Sequence, residues 1–144
     1  VAIITAGAIV SGYLGLEAHN LIKKQVDINA ASKAVAVQAE EKLKGMGIDV
    51  NDEYALKNID LSTLGNISEN QLYAYYLIFG YEGVTKVVQY MGYEDWSAFL
   101  IQNGYTDSYG APSMQVWINY MEAAALKIYQ SGKNIDSSKE GSTR

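Results

Sequence analysis

The sequence predicts an all-α protein: a helix bundle with a long apolar N-terminal helix, short glycine-hinged helices after it, and no sheet. Three observations predict this. Apolar residues recur at spacings of three and four, as in Met114, Trp117, Ile118, Met121, Ala125 and Ile128, which is the repeat of one helix face. No segment sustains the two-residue alternation of a half-buried strand. Helix-stop and helix-start residues punctuate the chain, most visibly as Gly80-Tyr81, Gly92-Tyr93 and Gly104-Tyr105, each pair twelve residues after the last. With 144 residues the chain is of single-domain size. It divides into one helical domain over 1–131 and a polar, Gly/Ser-rich tail over 132–144.

The N-terminal element comes first. Residues Val1 to Lys44 contain no proline and end at Gly45-Met46-Gly47, with Lys42 and Lys44 in the last turn, a C-terminal helix signature. A continuous helix of that length would reach ~65 Å. It is therefore expected to bend among Gly12, Gly15 and Asn20, or to project from the subunit. Leu14, Leu21, Ile28 and Val35 recur every seven residues with Ala18 and Ala39 beside them, a narrow stripe suited to one or two neighbouring helices. No charge occurs before Glu17, and Gly7, Ser11 and Gly15 recur every fourth residue beside a parallel row of Ala8 and Gly12. Small residues at that spacing leave a flat strip on which another backbone can close. Each glycine costs ~1 kcal/mol in a helix, so close packing must offset it. Residues 1–22 thus read as an apolar assembly segment, with Gly7, Ser11, Leu14 and Gly15 at a subunit interface. A flexible apolar leader is the alternative. The run has no basic n-region or cleavage site of a secretory signal. It reaches the ~20 residues of a membrane span only by including Glu17, His19 and Asn20, so a lipid or membrane contact of 1–22 is a further reading.

Asn51-Asp52-Glu53 opens a short piece containing Tyr54, Ala55 and Ile59, and a turn-rich stretch follows from Leu61 to Ile67. Ser68 with Gln71 three residues on is a capping box, which starts a helix at Glu69. Apolar or aromatic side chains surround most of that helix (Leu72, Tyr73, Tyr75, Tyr76, Leu77, Ile78, Phe79). The glycine–tyrosine pairs then delimit two helices, Glu82–Met91 and Glu94–Asn103, a local hairpin rather than a solenoid. The last helix is expected to carry Pro112 in its first turn and to stop at Gly132.

Composition excludes several functions. There is no Cys and one His, His19, so disulfides, thiol nucleophiles and cysteine or multi-histidine metal centres fall away. No phosphate-cradling glycine loop is present, and no residue set forms a nucleophile, base and stabiliser. The expectation is a non-enzyme with no cofactor, no metal and no small-molecule substrate. The net charge of −5 is uneven: +1 over 1–48, −8 over 49–122 and +2 over the remainder. Lys23, Lys24, Lys33, Lys42 and Lys44 form the main basic group and are the candidates for contact with a phosphate backbone, where neutralisation sums over many copies. They do not form one stripe, and solvated lysines with a Glu40–Lys44 pair are the plainer reading. Ten of the twelve tyrosines lie between Tyr73 and Tyr129. A buried tyrosine needs a hydroxyl partner, whereas interfaces favour Tyr and Trp. Tyr75, Tyr76, Tyr81, Tyr93, Trp96 and Trp117 are accordingly the candidate subunit contacts, against an ordinary Tyr-rich core. Asn66-Ile67-Ser68 matches a glycosylation acceptor, though Ser68 is already used as a cap.

In length and layout, carried by VAIITAGAIVSGYLGL, the Tyr73–Tyr129 aromatics and the lack of Cys, the chain resembles the major coat (capsid) proteins of large tailed spindle-shaped archaeal viruses. That resemblance implies a helical-bundle capsid subunit, present as a homo-oligomer of many copies, that assembles helically around a double-stranded DNA genome in the virion. A cell-surface filament, such as an archaeal pilus with the apolar helix in its core, is the alternative.

Overall fold

The computed structural model describes the backbone of residues 16–142 and the side chains of residues 24–131. Five α-helices make up the described chain: α1 (Leu16–Gly45), α2 (Glu69–Gly83), α3 (Thr85–Tyr90), α4 (Trp96–Gln102) and α5 (Met114–Ser142). Two 3-10 turns, Ala55–Lys57 and Leu61–Leu64, lie between α1 and α2. No strand occurs among the described residues; Thr106 and Pro112 form an isolated antiparallel bridge. The all-α expectation is met. Gly7, Ser11, Leu14, Gly15 and the rest of the apolar run before Leu16 lie outside the described residues.

α1 runs unbroken across Asn20 for 30 residues, ~45 Å of helix. It ends as the glycines require. Gly47 has φ +81°, its N–H bonds Lys44 O at 3.0 Å, and Ile48 N–H bonds Leu43 O at 3.0 Å. This is a Schellman cap, open to a left-handed residue. α1 packs on both α5 and α2. Its buried residues are Ala31, Ser32, Ala36 and Leu43. Of the heptad stripe, Leu14 and Leu21 lie outside the described side chains, Ile28 and Val35 are half-buried with Val35 packed against the core, and the fully buried positions beside them are mostly small. Small side chains let the helices approach, and Leu43 is buried near the C-terminal end of α1.

The capping box is present in full. Ser68 Oγ accepts from Gln71 N at 3.2 Å, and Gln71 Oε1 accepts from Ser68 N at 2.8 Å. α2 then kinks at Gly80, whose φ of +81° no helix contains. The two short helices are shorter than their expected spans. Helix resumes after Gly80 for the single turn Tyr81–Gly83, which includes Glu82, and Val84 then precedes α3 without a side-chain cap. Asp95, not Glu94, caps α4 by accepting from Ala98 N at 2.8 Å. Gly92-Tyr93 and Gly104-Tyr105 close α3 and α4 as two further Schellman caps, with Tyr93 N–H on Val88 O and Tyr105 N–H on Leu100 O.

α5 corrects the sequence reading at both ends. Pro112 lies before the helix, in the bridge to Thr106, and Ser113 Oγ accepts from Val116 N at 3.2 Å. At the other end α5 passes through Gly132 and continues to Ser142. One glycine costs a helix only ~1 kcal/mol, and neither proline nor a left-handed turn follows it.

The core cluster extends from Ala36 to Met121 and contains Trp117, Trp96, Phe99, Leu72 and Val87. Trp117 is the hub. Its ring meets Tyr73, Tyr76, Phe99 and Trp96 at centroid distances of 5.8, 5.7, 5.6 and 5.2 Å, thereby joining α2, α4 and α5.

Candidate functional site

The aromatic candidates divide by burial. Trp117, Trp96 and Tyr75 are 0%, 2% and 2% exposed, so they belong to the chain's own core rather than to a contact with a neighbour. Polar partners inside the chain explain this correction. Trp96 Nε1–H donates to Tyr81 O at 3.1 Å, and Trp117 Nε1–H donates to Glu69 Oε1 at 2.9 Å. The same Glu69 oxygen accepts the Tyr105 hydroxyl proton. Tyr73 shares a hydrogen bond with Ser32 across 3.1 Å, which ties α2 to α1. Tyr76 and Tyr93 are half-buried, and Tyr81 is exposed while stacking on Trp96 at 5.3 Å.

Glu69 was visible in the sequence only as the first residue of α2. Its position there puts a carboxylate beside the positive end of the helix. From that position it receives donors from the α4–α5 connection and from α5. Burial, followed by the hydrogen bond and the negative charge of Glu69, pushes the Tyr105 hydroxyl far above the ordinary tyrosine range. Burial likewise raises Tyr73, Tyr75 and Tyr76.

Two grooves flank α1. The first, ≈290 Å³, opens between α1, α2 and α5. Its floor includes Val35, Ala39, Tyr75, Ala74, Met121 and Ala125, and its polar lining includes Gln38, Lys42 and Asn70. The second, ≈360 Å³, lies between α1 and α5 beside Ile28, with Lys24, Lys127 and Glu122 among its lining residues. Burial raises the Glu122 carboxyl above its ordinary value. Lys24, Lys33, Lys42 and Lys44 are all exposed on α1, but only Lys24 and Lys42 lie in these grooves, one in each. The structure does not gather the basic group into one patch. Lys23 is on α1, with its side chain outside the described set.

A different feature escaped the sequence reading. The connection from α4 to α5 is a tight hairpin whose tip is Tyr109, 92% exposed. Asp107 Oδ1 accepts from Tyr109 N at 2.8 Å and from Ala111 N at 3.0 Å. Asp107 N–H donates to Ala111 O at 2.9 Å, and Gly110 N–H donates to Asp107 O at 3.1 Å. The sequence signal was Asp107 three residues before Gly110, a turn pattern.

Among the described residues, no group of three His, Cys, Asp or Glu could hold a metal ion. No described helix is long and apolar enough to cross a membrane. No protein-family model, curated protein or solved structure matches the chain.

Proposed function

We propose that the chain is a structural subunit that self-assembles helically into a virion coat around double-stranded DNA. One observation carries this reading: sixteen uncharged residues, Val1 to Leu16, with small residues every fourth position, lead directly into α1. Apolar surface of that extent is stable in water when it is covered, and many copies of one chain can cover it. Lateral contacts then fall to Tyr81, with Tyr76 and Tyr93 contributing their exposed edges. Only part of the lysines of α1 faces the genome, so each copy supplies only a few contacts.

Deleting Val1 to Leu16 tests the proposal. The truncated chain should remain a helical monomer by circular dichroism and sedimentation, and should form no particles in negative stain. Intact particles from the truncation refute the assignment. The acidic stretch over 49–122, at −8, favours a second reading as a cell-surface filament without nucleic acid. Nuclease-protected DNA in native particles decides between the two.

A further inference from the structure

We propose that the Tyr109 tip of one copy docks in the ≈290 Å³ groove between α1, α2 and α5 of the next copy. The inference rests on the assembly reading above and supplies it with a specific contact. The fold itself makes little use of Tyr109. Its side chain is 92% exposed, and its ring meets no other ring among the described residues. Yet the backbone beneath it is held by four hydrogen bonds, two of them to the Asp107 carboxylate. With the backbone already fixed, docking has to order only one aromatic side chain with few torsions, which is how anchor residues gain affinity at low ordering cost.

The groove has complementary chemistry. Its volume is that of roughly ten liquid waters, enough for one aromatic side chain and part of its neighbour. Val35, Ala39, Ala74 and Ala125 offer the ring an apolar floor. The side chains of Gln38, Lys42 and Asn70 make no hydrogen bond among the described residues and stand ready for the phenol hydroxyl. Lys42 also provides positive charge for the Asp107 carboxylate at the base of the tip. Tip and groove share no residue. A copy that gives its tip keeps its groove open, so the contact can repeat in one direction and propagate a filament.

The absence of cysteine makes a direct test available in the full-length chain. Ser108→Cys and Gln38→Cys, both at exposed positions, are prepared separately, mixed under assembly conditions and treated with a short bismaleimide. A linked pair should form on mixing and should disappear when Tyr109→Ala is added to Ser108→Cys. Tyr109→Ala alone should raise the concentration needed for assembly by about 30-fold, the scale of a buried aromatic anchor, with an unchanged helical spectrum. Particles that form without the linked pair overturn this docking and leave the subunit reading standing. A full-length chain that stays monomeric overturns both.

Discussion

Glu69 concentrates more of the fold than any other polar residue. One of its oxygens accepts from the Tyr105 hydroxyl and from the Trp117 indole, binding the start of α2 to the α4–α5 connection and to α5. Truncation to Ala would strand a buried indole N–H, a loss of about 1–3 kcal/mol for the unsatisfied group. Glu69→Gln keeps an acceptor but loses the charge that strengthens both bonds, so it should cost less. Urea midpoints check the order: equal midpoints for the two variants would mean that a neutral acceptor saves nothing, and a Gln midpoint equal to that of the unaltered chain would mean that the charge contributes nothing. Alkali gives a second readout. The folded Tyr105 hydroxyl lies above its unfolded value, so its contribution to stability is complete below about pH 10 and is lost as pH rises further. Removing the Glu69 charge removes one cause of that elevation and weakens another, the hydrogen bond. Tyr105 should then ionise at lower pH in Glu69→Gln, as followed by ultraviolet difference titration.

At the scale of elements, glycine sets the boundaries, and it does so in two distinct ways. Gly92 and Gly104 hold left-handed turns at φ +107° and +80°, with open space where a Cβ would stand. Alanine there should cost about 1–2 kcal/mol of backbone strain. Gly83 is different: a Cβ would lie 2.5 Å from the Glu53 carbonyl oxygen and 2.8 Å from Phe79 Cβ. Backbone cannot yield as a flexible side chain can, so Gly83→Ala should be the most destabilising of the three. Gly45, inside the last turn of α1 with nothing near it, should tolerate Ala or gain slightly. Thermal unfolding of the four variants tests this ranking. The same contrast explains what was legible beforehand. The Schellman caps and the Ser68 box use partners within a few residues, and the sequence displays such partners. The burial of Trp96 and Trp117 was not legible, because Tyr81 O and Glu69 come to them from 15 and 48 residues away. The passage of α5 through Gly132 was missed because a single glycine marks a stop only where the backbone turns left-handed.

For the whole molecule, the proposed contact with DNA has to overcome a chain charge of −5. The exposed lysines of α1 point to different sides, and a single copy can bring only part of them to a duplex. A contact of Z phosphates weakens with salt at a log–log slope of about −0.9Z, so one or two contacts give an affinity too small to hold a genome. Affinity must come from repetition along the array. Binding and assembly should therefore be lost together. The chain lacking Val1 to Leu16 retains Lys23, Lys24, Lys33, Lys42 and Lys44, yet should release duplex DNA under conditions in which the full-length chain protects it. Tyr109→Ala should do the same at concentrations below its raised assembly threshold and regain protection above it. Electrophoretic mobility shifts across a salt series, run beside sedimentation of the same samples, measure both properties at once. A truncated monomer that binds DNA as tightly as the full-length chain would place the affinity in the single subunit and remove the role assigned to the array.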